Sequence, residues 1–155
     1  MKNRTTPASA QSGVGLIEVL VAVLVLSIAF LGIAALQAMS MSTNNSAMAR
    51  SMATIDSYSI LDAMRADLVS AKGTNYNGTV TANACPTTTG TLANAQLAQW
   101  CTQLGHDLGA TASTKGLIRC SSSGECTVTI TFDDSRAGAG AASSSSQQII
   151  TKAIL

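Results

Sequence analysis

The apolar residues of this chain change their pattern along its length, and each pattern predicts a different element. Residues 19–36 are almost wholly aliphatic, and no charged residue occurs from 19 to 49. At about 1.5 Å per residue, a helix over the aliphatic run reaches across most of a bilayer, so a membrane-spanning helix is expected. Gly32 within it is ordinary for a membrane helix. Beyond it, Met48, Met52, Ile55, Ile60, Leu61, Met64 and Leu68 recur at mostly helical spacing, with Arg50, Asp56, Asp62, Arg65 and Asp67 between them. That pattern predicts an amphipathic helix with those apolar residues on its buried face. It should continue the apolar helix without a break and stop near Lys72 and Gly73, a cation in the last turn followed by a residue that tolerates a left-handed cap. The result is one helix of roughly 55 residues.

After the helix the signals shorten. Residues 73–95, rich in Gly, Thr and Asn, predict a loop with at most a short strand, and residues 92–108, with Trp100 and Leu104 one turn apart, predict a short helix. Residues 117–120 and 127–132 flank a Ser-Ser-Ser-Gly-Glu turn. In the second of these, Val128, Ile130 and Phe132 alternate with Thr127, Thr129 and Thr131, which predicts strands with one face buried and the other wet. Residues 137–148 read as a flexible loop and 149–155 as a final strand. The expected fold class is α+β, a long N-terminal helix packed on a small antiparallel sheet.

Composition narrows the function. With 155 residues there is room for one modest core, and a multidomain enzyme is not expected. Formal net charge is +1 and the basic residues are scattered singly, so no stripe faces a run of phosphates and no nucleic-acid partner is expected. Charged residues make up 11%, well below the roughly 25% of an average soluble protein, while Ser, Thr, Ala and Asn abound. That balance suits a secreted or surface protein.

The first 13 residues carry Lys2 and Arg4, no acid, and end in Gly13, where the apolar run begins. In an ordinary signal peptide cleavage follows the apolar stretch; here the small-residue break precedes it, so cutting at Gly13 leaves the helix in the mature chain. The basic leader places the N-terminal side in the cytoplasm and the remainder outside. All four cysteines, Cys85, Cys101, Cys120 and Cys126, then lie on the outer side, where disulfides are expected. Cys120 and Cys126 border one tight turn and fall within reach across a hairpin, leaving Cys85 with Cys101, although four cysteines allow three connectivities and the sequence does not choose. Glu18 is the one carboxylate in the apolar segment. At mid-membrane it would cost on the order of 2.5 to 3.5 kcal/mol, less near the interface, which calls for a compensating partner. Cleavage after Gly13 creates a free amine at Val14, one helical turn away. The alternative reading of Glu18 is an interfacial charge at the membrane edge.

The run GVGLIEVLVAVLVLSIAFLGIAALQ resembles the class III signal and N-terminal helix of type IV pilins and type II secretion pseudopilins, most closely the PilV family of minor pilins, also called pilus modification proteins. The C-terminal TVTITFDDSR resembles the end of that family more loosely. The resemblance implies that a prepilin peptidase cuts after Gly13 and methylates Val14, and that Glu18 serves subunit assembly. Val14 and Gly15 depart from the Phe and Thr common in major pilins, which argues against a major pilin. The implied organisation is a leader over 1–13, a transmembrane and assembly helix over 14–40, and a pilin globular domain over 41–155 that includes the helix continuation to about 72. The implied function is a minor pilin that primes or joins type IV pilus assembly for twitching motility and adhesion. Its partners would be prepilin peptidase, other minor pilins, the major pilin and the inner membrane. Its place would be a single pass with the domain in the periplasm, then the fibre, near its tip. A pseudopilin of a type II secretion system and a membrane-anchored binding module are the alternatives.

Other chemistry finds little support in the sequence. His106 is the single histidine and no C-x-x-C pair occurs, so neither metal nor cofactor is expected. His106, Asp107 and Ser113 do not suggest a hydrolytic set, because adjacent helical side chains are expected to point apart and no G-x-S-x-G is present. Asp133 and Asp134 suit a turn better than a calcium loop. Gly138 and Gly140 lack the strand and helix of a phosphate loop. An enzyme is not expected.

Overall fold

The computed structural model describes residues 13, 15–88, 90–135 and 146–155. The leader up to residue 12, Val14 and most of the expected loop at 137–148 lie outside the described residues. The chain divides into two units, Met1–Ala38 and Met39–Leu155.

Helix α1 runs from Leu16 to Ala66, 51 residues, and its first turn closes on the Gly15 carbonyl, which accepts from the amides of Glu18 at 2.9 Å and Val19 at 3.4 Å. The expected uninterrupted helix does not occur. Asp67 leaves helical geometry at φ −130° and ψ 57°, and a short α2 follows over Leu68–Lys72. The Asp67 carboxylate accepts from the Tyr76 hydroxyl at 3.2 Å, a tertiary contact that holds the break. The cap also differs from expectation, for Gly73 has φ −76° and the left-handed residue is Thr74 at φ 64°. The amides of Thr74 and Asn75 bond the carbonyls of Ala71 and Ser70 at 3.1 and 3.0 Å, so a Schellman motif closes one residue later than the glycine suggested.

In the second unit α1 buries Ser46, Ala53, Asp56, Ser57, Ile60, Leu61 and Met64. The sequence pattern placed Met48, Ile55 and Leu68 on this face, but they are 59%, 54% and 40% exposed. Ile60, Leu61 and Met64 are buried as the pattern predicts, and the small side chains of Ser46, Ala53 and Ser57 occupy the rest of the stripe in place of Met48 and Ile55. The hydroxyl of Ser57 is satisfied by the Ala53 carbonyl at 2.9 Å and that of Ser46 by the Asp134 carboxylate, whereas the carboxyl of Asp56, also in the stripe, has no such partner.

The sheet is an antiparallel meander in the order β1-β2-β3-β4, with β1 Gly78–Thr81, β2 Lys115–Cys120, β3 Glu125–Asp133 and β4 Ser146–Ile154. The final strand therefore begins inside the stretch expected to be loop, taking in Ser146, Gln147 and Gln148. The alternation on β3 is as expected, with Cys126, Val128, Ile130 and Phe132 buried. Between β1 and β2 the chain forms α3, Leu92–Leu108, whose N-cap Thr91 accepts from the Asn94 amide at 3.2 Å. The core gathers Ile60, Leu61 and Met64 of α1, Trp100 and Leu104 of α3, and Ile118, Val128, Ile130 and Phe132 of the sheet. Trp100 packs directly against Gly116: a Cβ there would collide with the indole ring and come within 2.9 Å of Leu104 Cδ1. The arrangement is α+β, a long N-terminal helix packed on a small four-stranded antiparallel sheet.

Candidate functional site

The candidate site is the start of α1. From Leu16 to Met41 every residue is exposed, among them Leu16 at 80%, Leu31 at 72% and Leu36 at 70%. This segment meets the length and composition of a single membrane span or signal anchor. Within it Ser27 donates its hydroxyl back to the Val23 carbonyl at 2.7 Å, which keeps that polar group satisfied without water. Glu18, in the first turn, is the one charged side chain of the run, and among the described residues it has no ion-pair partner. A carboxylate in the first turn is favoured by the exposed amides there. Gly13 is exposed, with nothing within 4 Å of where a Cβ would stand. Val14 lies outside the described residues.

The cysteines form two bridges, Cys85–Cys101 with Cα atoms 5.6 Å apart and Cys120–Cys126 at 4.1 Å. The first ties the loop after β1 to α3. The second joins directly opposed residues of the β2–β3 hairpin, whose turn closes through the Gly124 amide on the Ser121 carbonyl at 3.0 Å. Gly124 adopts φ 92°, which only glycine takes readily, and a Cβ there would lie 3.0 Å from the Leu155 carbonyl.

Polar groups that the sequence did not single out are buried in the second unit. Asp56 is fully buried, and neither carboxyl oxygen has a hydrogen-bond donor. Burial, and then the neighbouring Asp107 carboxylate within hydrogen-bonding reach, push its pKa up to about 6. Asp107 is held below the usual carboxylate range, chiefly by the His106 ring, whose Nδ1 lies 2.7 Å from Oδ1, and also by the Gln103 amide at 3.1 Å. The expectation that His106 and Asp107 point apart is thus corrected: the exposed ring folds back onto its neighbour. Ser113 bonds Thr111 at 2.8 Å rather than either of them. Ser46 donates to Asp134 Oδ2 at 2.5 Å, and Arg50 lies 3.8 Å from the same oxygen while reaching Gln147 Oε1 at 3.2 Å. Asp134 is buried and ties α1 to the end of β3, whereas Asp133 stays exposed and accepts from the Ser135 amide at 2.8 Å. Among the described residues no cluster of three or more His, Cys, Asp or Glu side chains could hold a metal ion.

No local signal in the sequence marks Asp56 for burial. It lies beside the small residues Ala49, Ala53 and Ser57, but these fit a helical period no better than Met48, Met52 and Ile55 do. Comparison of the chain with protein families, with curated proteins and with solved structures finds no match in any of the three.

Proposed function

We propose that this chain is a minor pilin of a type IV pilus, a structural subunit cut after Gly13 whose α1 is held in the inner membrane and then packs against the helices of other pilins. One observation carries the reading: a helix exposed along residues 16–41, nearly all apolar, with a single carboxylate in its first turn. Soluble proteins rarely leave more than a few hundred Å² of contiguous apolar surface open, so this surface needs lipid or other helices around it. Both covers suit one life cycle, lipid before assembly and neighbouring helices after.

Glu18 gives that packing a register. In an apolar helix bundle an unpaired carboxylate is costly, and the amine freed at Val14 of a neighbouring subunit neutralises it only where the two helices are correctly offset along the fibre axis. The resemblance over residues 13–37, common to type IV pilins and type II secretion pseudopilins and closest to the PilV family, supports the pilin-like reading, with priming of assembly near the tip.

Deletion of the gene tests the reading. Loss of surface pili, restored by the parent chain but not by Glu18→Ala, is the expected result. Loss of exoprotein secretion with pili intact would assign the chain to a type II secretion system. Full function of Glu18→Ala would reduce the helix to a tether.

A further inference from the structure

The two edges of the sheet are unlike, and the difference follows from the hydrogen-bond phase of β3. In an antiparallel ladder, opposed residues alternate between bonded pairs and closer, non-bonded pairs. Ser121 donates to the Glu125 carbonyl at 2.9 Å, and Cys120 and Cys126 approach to 4.1 Å between Cα atoms, so the odd-numbered residues of β3 bond β2. The even-numbered ones must then bond β4. The Leu155 amide on the Gly124 carbonyl at 2.9 Å fixes the same phase independently, since it extends the register that pairs Cys126 with Ala153 and Val128 with Thr151. On β4, therefore, Ile149, Thr151 and Ala153 bond inward. Gln148, Ile150, Lys152 and Ile154 turn their amides and carbonyls outward, where no partner strand lies among the described residues.

The opposite edge is short and partly closed. β1 has four residues, and the side chain of Asn77 extends its pairing by bonding Cys120. β4 has nine residues. The outward-bonding positions also carry the exposed side chains, with Ile150 and Ile154 56% and 75% exposed on either side of Lys152. Among the described residues Lys152 has no ion-pair partner. Lys152 and Ile154 border a shallow hollow of about 330 Å³ with Glu125 and Thr127 of β3.

We propose that the free edge of β4 is a strand-addition site for an extended segment of another protein, whose side chains on the Ile150–Ile154 face run apolar, acidic, apolar. Backbone bonds supply affinity in this mode and alternate side chains supply selectivity. The central cation sets the partner's charge: a carboxylate opposite Lys152 is attractive, and flanking apolar side chains cover the two isoleucines. It also disfavours a second copy of this chain. The self-pairing that matches Ile150 with Ile154 sets the two Lys152 ammonium groups directly opposite each other. The inference stands on the sheet alone and does not require the filament reading.

The test is amide exchange on the full chain in detergent micelles, with and without a synthetic heptapeptide that alternates threonine and valine about a central glutamate. The amides of Ile150, Lys152 and Ile154 should exchange freely in the chain alone and slow by about tenfold or more with the peptide, and a peptide with lysine at its centre should have no effect. Ile150→Pro removes one outward donor while leaving the inward bonds, so it should melt like the parent and lose the peptide. Protection of these amides without peptide, equal binding of the lysine and glutamate peptides, or no slowing at millimolar peptide would overturn the proposal. Protection that grows with the concentration of the chain alone would assign the edge to a second copy and also overturn it.

Discussion

The side-chain amide of Asn77 bonds both backbone groups of Cys120, donating to its carbonyl at 2.9 Å while accepting from its amide at 2.6 Å. β1 pairs with β2 only as far as Gly78 opposite Ile118. Asn77 thus does with a side chain what another backbone residue would do, and it completes the ladder beside the Cys120–Cys126 bridge. Replacing it by Ala leaves both Cys120 groups without protein partners. Asn77→Ala should lower unfolding stability by about 1–2 kcal/mol, and Asn77→Asp, which cannot donate, should lose a similar amount. Denaturant unfolding checks this, and values equal to the parent would refute it.

Gly116 is fixed by Trp100 and Leu104, which occupy the space of its missing side chain. Gly116→Val must push the indole away from β2 and strain its bond to the Asp56 carbonyl, now 3.0 Å. The expected cost is about 1–3 kcal/mol or more. Because Trp100 is the single tryptophan, its fluorescence should shift red as water reaches it. An unshifted spectrum with unchanged stability would contradict the packing described.

Asp56 and Asp107 predict a pH dependence. The folded pKa of Asp56, about 6, lies above its ordinary value of 3.8, so the folded state binds the proton more tightly. The associated stability is fully present below 3.8, falls as pH rises through about 6, and is absent above it. At about 1.4 kcal/mol per pH unit, the fall is on the order of 2–3 kcal/mol. Asp56→Asn keeps a donor toward Asp107 at every pH. It should therefore be more stable than the parent at pH 8 and lose that advantage near pH 4. Asp107, held low, acts in the opposite sense and only on further acidification. Melting curves from pH 4 to 8 that run parallel for both chains would refute the coupling.

Thr74 occupies a left-handed conformation that is unfavourable for a β-branched residue. Thr74→Gly should raise stability by about 1 kcal/mol, because it relieves that conformation at the Schellman closure. Thermal unfolding against the parent measures it, and a loss of stability would show that the threonine side chain makes a contact worth more than the strain.

The elements were more legible in the sequence than the contacts between them. The alternation of Val128, Ile130 and Phe132 with threonines gave β3 its faces, and the apolar run after Gly13 predicted the long helix, which begins at Leu16. Of the buried face of α1, the stretch from Ser46 to Ser57 was not legible. Met48 and Ile55 satisfy a helical period as well as Ala53 and Ser57 do, and only the close approach of neighbouring elements selects the small residues. The break at Asp67 depends on Tyr76, and the burial of Asp134 on Ser46, 88 residues earlier. Such pairings are made by the tertiary fold, and no local pattern carries them. The start of α1 is different, because the candidate site there is a spacing in the sequence: Gly13, then a carboxylate at Glu18 in the first turn of an apolar helix.

That spacing is tested most directly by the mature N-terminus. The full chain would be expressed with and without a prepilin peptidase and its N-terminus read by mass spectrometry. A new terminus at Val14 that appears only with the peptidase, and is lost in Gly13→Ala, is the predicted result. Nothing lies within 4 Å of a Cβ at Gly13, so that loss would report recognition at the cut and not a disturbed helix. A chain left uncut, or cut beyond residue 30, would contradict the account.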